Sequence, residues 1–294
     1  MRFEYCDVAS LDEAVSLLGQ YGDGAYLLAG GTDLLVMAKE DRLSPKYLID
    51  IKPIQGMGEI TWDAQAGLRI GALATIRALE RSALVQEKAP AVSQAAHLLG
   101  SVQVRNRATV GGNLCQAVPS AEMPPPLIAL GARARICGPN GYRTIPLEDL
   151  FVGPRRTSLG HQEILVELEV PPARNSTASA YLRFSPRKAM DLAIASAATT
   201  VRLENGSFSD CRIVLGAVAP TPLRAARAEE SLKGGPPGDG AIMRAAEIAA
   251  SEAAPISDIR ASAEYRRELV KVLVRRALAQ SLSDAGSRAV QRAS

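Results

Sequence analysis

Two glycine doublets punctuate the first half of this 294-residue chain, Gly30-Gly31 and Gly111-Gly112. Leu28-Ala29-Gly30-Gly31-Thr32-Asp33 follows an apolar stretch at 25–29 that reads as a strand and precedes a helical pattern at 34–39. Glycine lets a backbone turn tightly and approach a neighbour with no Cβ in the way. Successive N–H groups in such a turn form an anion nest, and the N-terminus of a following helix adds partial positive charge. Thr32 offers a hydroxyl, so a diphosphate fits the segment. Taken alone, such a doublet between strand and helix is more often a plain turn. Thr109-Val110-Gly111-Gly112-Asn113 reads as a second loop of the same kind. Neither segment is a GxGxxG fingerprint or a P-loop with GK[ST], which disfavours a Rossmann nicotinamide site.

Composition removes several function classes. Lys and Arg number 34 against 31 Asp and Glu, and a net charge of +3 gives no footprint for nucleic acid. The first twenty residues mix charges with short apolar steps and do not form a signal peptide. No run approaches the roughly 20 apolar residues of a membrane span. The cytoplasm is therefore the expected compartment. The 4 cysteines, at 6, 115, 137 and 211, show no CxxC spacing, and the 2 histidines, His97 and His161, lie far apart. A metal site or a Ser-His-Asp triad is disfavoured, and a cofactor is expected to carry the chemistry. Aromatic residues make up 4%, so Leu, Ala, Val and Ile must fill the core.

The patterning suggests an α+β chain. A small α/β unit covers 1–56, with a helix at 10–18 capped by Ser10 and strands at 25–29 and 46–51. A second unit covers 57–173, with strands at 68–70, 132–137 and 164–170. Thr75 is expected to cap a helix through Leu84, and another helix runs from Ala91 to Leu99 before Gly100. Pro124 is expected to open a helix. Pro171-Pro172 starts a linker, after which 177–286 reads as a smaller domain of antiparallel strands and helices, with a loose tail at 287–294. Asn205-Gly206 marks a hairpin there, and a long amphipathic helix at 262–282 turns Leu269, Leu273 and Val274 inward.

Asn113 can donate and accept hydrogen bonds, which suits a flavin ring edge or a ribityl hydroxyl. Several segments, in order, carry a resemblance. They are 29–35 (AGGTDLL), 103–114 (QVRNRATVGGNL), 120–125 (SAEMPP), 163–165 (EIL), 187–193 (RKAMDLA) and 262–267 (SAEYRR). Together they resemble the medium, FAD-binding subunit of the xanthine dehydrogenase/carbon monoxide dehydrogenase family of molybdenum hydroxylases, over essentially the whole chain.

The resemblance implies a two-part FAD-binding domain of the vanillyl-alcohol-oxidase (PCMH) type followed by a smaller α+β C-terminal domain. It implies that Tyr26, Leu27, Leu28, Ala29, Gly30, Gly31, Thr32 and Asp33 wrap the diphosphate and approach the flavin. Thr109, Val110, Gly111, Gly112 and Asn113 would form the second wall, and Leu99 would line the isoalloxazine pocket. Glu122 stands where many members carry Asp near the ribityl or ribose hydroxyls. Leu165 would touch the adenine end. Arg183 replaces a lysine that relatives often place near the flavin.

Cys115 reads as a packed thiol, His97 as a structural histidine, and Asp191 as a partner for Arg187 or Lys188. The family's function is electron transfer. Molybdopterin and iron–sulfur (2Fe–2S) clusters are expected on a large and a small partner subunit, in a dimer of heterotrimers, with no catalytic acid or base on this chain. A self-contained FAD oxidase and a flavin-free scaffold subunit are the rival readings.

Overall fold

The computed structural model describes residues 2–187 and 189–293, with side-chain surroundings defined through Gly286. The first unit comprises β1 (Glu4–Asp7), α1 (Leu11–Tyr21), β2 (Ala25–Leu28), α2 (Leu34–Lys39) and β3 (Tyr47–Asp50). Its three strands form a parallel sheet in the order β1-β3-β2. Ser10 starts α1 as expected. Its Oγ accepts the Glu13 N–H at 3.2 Å, and Glu13 Oε2 reaches back to the Ala9 N–H at 3.0 Å. Ala14, Val15 and Leu18 are buried on the sheet side.

The second unit holds β4 (Ile60–Asp63), β5 (Gly67–Gly71), α3 (Ile76–Arg81), α4 (Ala83–Lys88), α5 (Pro90–Leu98), α6 (Val102–Arg105), α7 (Val110–Cys115) and α8 (Pro124–Ala129). Then come β6 (Arg133–Gly138), β7 (Gly141–Pro146), β8 (Phe151–Gly153), β9 (Arg156–Thr157) and β10 (Ile164–Val170). Five strands make an antiparallel sheet, β4-β5-β10-β6-β7. Thr75 caps α3 through the Ala78 N–H at 3.1 Å, but that helix ends at Arg81 rather than Leu84. Ser82 is extended and caps a new helix through the Val85 N–H at 3.3 Å, so one expected helix becomes two.

The third unit holds β11 (Thr177–Phe184), β12 (Ala195–Glu204), β13 (Ser207–Gly216), β14 (Leu223–Arg224), α9 (Ala226–Leu232), α10 (Asp239–Glu252) and α11 (Ala263–Ala293). The strands form an antiparallel sheet in sequence order, with α11 across it. Asn205 and Gly206 have φ of 51° and 77°, the left-handed pair that a tight hairpin needs. Leu223 and Arg224 pair with Leu215 and Val214, and α9 begins after them at Ala226. Leu269, Leu273 and Val274 are buried. The tail expected to be loose is helical through Ala293, and Ser294 lies outside the described residues. Ala, Arg and Gln after Gly286 are good helix formers, and no Pro interrupts them.

Buried apolar side chains gather in two clusters. One spans the first two units and takes in Tyr181, Ala198 and Val214 from the third sheet. The other packs that sheet against α9, α10 and α11. Buried Arg266 fastens α11 to the sheet. Its guanidinium donates to the carbonyls of Ile194 at 2.7 Å and Ala217 at 3.2 Å, and to Asp258 at 2.8 Å. Among the described residues no helix is long and apolar enough to cross a membrane.

Candidate functional site

The turn after β2 and the start of α7 face each other across a cavity of about 300 Å³. Gly30 passes so close to the second unit that a Cβ there would stand 2.1 Å from the Arg107 carbonyl oxygen. Gly31 has φ of +72°, a conformation that favours glycine. The Gly31 carbonyl accepts the Leu35 N–H at 3.1 Å, which starts α2, while Asp33 makes no side-chain cap. Among the described residues no partner is recorded for the N–H groups of Gly30 through Leu34. Five successive amides at the edge of a cavity form a site for anionic oxygens.

The second glycine pair is not a loop, as the sequence suggested, but the first turn of α7. Thr109 is extended and its Oγ1 accepts the Gly112 N–H at 3.1 Å, the N-cap arrangement that starts the helix. The Val110 and Gly111 N–H groups donate to the carbonyls of Ala74 at 3.0 Å and Ala72 at 2.8 Å. A Cβ on Gly111 would lie 2.7 Å from Ala72. This wall is pinned to the strap after β5, and tertiary contact there overrides the low helix propensity of two glycines.

Of the residues expected at the site, Tyr26, Leu27, Ala29, Gly30, Gly31, Thr32, Asp33, Leu99, Thr109, Gly112 and Asn113 line the cavity. Leu28, Val110 and Gly111 lie behind these walls in the protein interior, and Leu165 is buried on β10. The cavity is also lined by Leu34, Val104, Ala108 and Gln116, which the sequence reading did not single out, and by Cys115, which it read as a packed thiol. Their helical spacing, one turn on from Asn113 for Gln116 and one turn back from Ala108 for Val104, was the available signal. Cys115 is instead exposed and opens onto this recess, where desolvation by the neighbouring protein raises its thiol pKa. A smaller cavity of about 190 Å³ shares Ala29, Gly30 and Thr109 with the first and adds Lys52, Asn106 and Arg107.

Arg105 supports the apolar side of the cleft. It is buried, and its guanidinium donates to the Leu99 carbonyl at 3.0 Å and to Glu80 at 2.9 Å. Burial opposes the charge on Glu80, but hydrogen bonds from Arg77, His97 and Arg105 outweigh it and hold the carboxyl below its usual range. His97 Nδ1 meets Glu80 Oε1 at 2.9 Å on an otherwise exposed ring, a structural role as expected.

Glu122 and Arg183 do not line the cavity; they pair with each other behind it, across the seam between the second and third units. Asn113 Oδ1 accepts the Met123 N–H at 3.3 Å and so ties this pair to the second wall. The Arg183 guanidinium also donates to the Asp191 carbonyl at 3.2 Å. Burial pushes Glu122 up to about 7, against the opposing pull of the Arg183 charge. Arg183 Nη2, Tyr181 Oη and Ser196 Oγ are buried beside it with no hydrogen-bond partner among the described residues. Asp191 accepts the Arg187 N–H at 2.9 Å, while Lys188 lies outside the described residues.

Another cavity, of about 520 Å³, lies between the β6–β7 hairpin and the loop before β10. Its arginine, Arg143, is already held by both oxygens of Glu163 at 2.6 Å. The glycine cleft, with its free donors, is the better ligand site.

Residues 1–173 match the sequence family described as FAD binding domain in molybdopterin dehydrogenase, and residues 180–281 match the CO dehydrogenase flavoprotein C-terminal domain. The carbon monoxide dehydrogenase medium chain of Hydrogenophaga pseudoflava is 38% identical over 94% of this chain and 96% of its own. The xanthine dehydrogenase FAD-binding subunit of Escherichia coli O157:H7 is 33% identical over 97% of each. The solved carbon monoxide dehydrogenase structure from Hydrogenophaga pseudoflava superposes with a TM-score of 0.93, covering 96% of this chain and 98% of that one at 38% identity. Quinoline 2-oxidoreductase from Pseudomonas putida 86 superposes with a TM-score of 0.90 at 30% identity, over 97% and 98%. The chain therefore belongs to the FAD-binding, medium-subunit family of the xanthine and carbon monoxide dehydrogenase type.

Proposed function

We propose that this chain holds FAD along the cleft between its two glycine segments and serves as the electron-transfer subunit of a molybdenum hydroxylase. The observation that carries the reading is the row of unpartnered amides from Gly30 to Leu34 at the cavity edge, beside a helix start. It fits a diphosphate, because each amide donates to an anionic oxygen without a side chain having to reorganise. Gly30 and Gly31 allow that backbone approach, Thr32 adds a hydroxyl, and the Nδ2 of Asn113 is left to face the ribityl chain while its Oδ1 holds Met123. Leu99 and Val104 offer an apolar face to the isoalloxazine. FAD held by these residues would supply one- and two-electron redox chemistry, suited to taking electrons from iron–sulfur clusters of a small partner subunit and passing them to a terminal acceptor, with substrate oxidation on a large molybdopterin-bearing partner subunit. A dimer of heterotrimers is the assembly we infer.

In this reading 1–173 is the FAD-binding domain and 177–286 a separate C-terminal domain. Glu122 and Arg183 act from behind, by fixing the second wall, and no side chain of the chain needs to act as acid or base. Purified protein should carry about one FAD per chain, or regain it on addition, and should be reduced through its iron–sulfur partner but not by an organic substrate alone. A chain that takes up no FAD even within its complex overturns the proposal. Substrate turnover by the isolated chain would replace it with a self-contained oxidase.

A further inference from the structure

A second cavity, of about 360 Å³, opens where the linker at 171–174 crosses between the end of α8 and the third sheet. It shares no lining residue with the glycine cleft. Four cations line it, Lys88, Arg174, Arg202 and Arg212, with Asp210 as the single carboxylate in the lining. Two of them are partly neutralised. Lys88 meets Glu87 at 2.7 Å, and Arg202 meets Glu204 at 3.4 Å. Arg174 and Arg212 have no acceptor among the described residues. Arg212 is half-buried, its guanidinium lying so close over Gly131 that a Cβ there would be 2.6 Å from Nη1. Thr200 lines the same space, and its hydroxyl is buried without a hydrogen-bond partner.

Like charges held together in a recess repel, and the recess focuses their field on whatever enters it. A half-buried guanidinium with unused N–H groups is an unfilled half of a fork-shaped contact. An acceptor with oxygens in several directions would satisfy Arg174, Arg212 and Thr200 together, which a tetrahedral phosphate does better than a planar carboxylate. Leu130 and the Pro171-Pro172 segment give the lining its apolar part. The volume lies at the lower end of small-ligand sites. We propose that this seam cavity binds a small organic phosphate, its phosphate on Arg174, Arg212 and Thr200 and its organic part on the proline wall. Such a ligand would bridge the linker and the third sheet, away from the flavin.

The single tryptophan, Trp62, reports on the site, because Lys88 Nζ lies 4.8 Å from its ring centroid. FAD-loaded protein is titrated with phenyl phosphate and, separately, with inorganic phosphate at fixed ionic strength, by calorimetry and tryptophan fluorescence. The expected result is saturable binding of phenyl phosphate, weaker binding of inorganic phosphate, and a change in Trp62 emission with the same midpoint. R174Q/R212Q should retain FAD and bind phenyl phosphate at least about tenfold more weakly, the loss of two charge-assisted contacts. Thr200→Val removes only the hydroxyl and should weaken binding by a smaller factor. Absence of saturable binding by the wild-type protein overturns the proposal, as does unchanged affinity in R174Q/R212Q. An acidic hexapeptide that binds where neither phosphate does also overturns it, in favour of a protein partner.

Discussion

The two glycine pairs look alike in sequence and are used in opposite ways. At Gly30-Gly31 the amides have no acceptor among the described residues, and Gly30 packs closely against the backbone of Arg107 and Ala108 in the second unit. At Gly111-Gly112 every amide from Val110 to Asn113 is already bonded, to Ala74, Ala72, the Thr109 hydroxyl and the Thr109 carbonyl. The first segment keeps its donors for a ligand. The second uses its donors to stand still, and offers the ligand a flat surface and the Asn113 side chain. A phosphate-binding turn is thus identified by where its N–H groups go, not by its glycines.

The largest expected effect lies behind the second wall. Arg183→Leu leaves Glu122 buried without its cation, and breaking a buried pair costs about 3 kcal/mol. The loss should be greatest above pH 7, where Glu122 ionises, and smaller near pH 5, where it is protonated. In the parent protein the folded Glu122 value, about 7, lies above its ordinary 4.5. The folded state therefore binds more protons between those values, so stability falls as pH rises through that window and levels off above it. Denaturant midpoints against pH should show this slope, and Glu122→Gln should lack it. Arg183→Leu protein that stays folded should still take up FAD on the first turn. A loss of FAD affinity larger than the loss of stability would erase the difference between the walls.

Gly30→Ala and Gly111→Ala test the comparison directly. Both add a methyl where backbone already stands, at 2.1 Å and 2.7 Å, and overpacking of this kind costs about 1–3 kcal/mol. Relief at Gly30 must move the free amides, so that variant should lose most of its FAD with a modest fall in melting temperature. Relief at Gly111 must move Ala72, so that variant should lose stability and keep FAD in its folded fraction. Flavin absorbance per chain and thermal melts separate the two outcomes, and equal losses in both would show that the walls act alike.

Most of the frame was legible because local rules and tertiary packing agree there. Ser10 and Thr75 cap helices where the spacing put them, and Asn205-Gly206 turns a hairpin. β1 was not legible, since its side chains are mostly exposed and carry no apolar alternation, and β4 was not, since its Ile60-Thr61-Trp62-Asp63 alternation is only four residues long and half-buried at best. Glu122 and Arg183 were expected at the ligand and pair with each other instead. Their contact joins residues 61 apart in sequence, and no local pattern encodes it. Gln116 reaches the cavity because α7 is set by bonds from Val110 and Gly111 to Ala74 and Ala72, which are likewise long-range.

The smallest effect concerns Thr109, whose hydroxyl does for the second wall what nothing does for the first. Thr109→Ala removes the cap on the Gly112 N–H and should cost about 1 kcal/mol. It also releases one amide at the cavity edge, making the second segment more like the first. FAD affinity should therefore fall less than stability, because the freed donor faces the ligand as the fixed wall loosens. Thr109→Ser keeps the acceptor and should restore the parent melting temperature. If Thr109→Ala loses FAD as completely as Gly30→Ala, the hydroxyl touches the cofactor itself, and the second wall binds through its side chains more than its position.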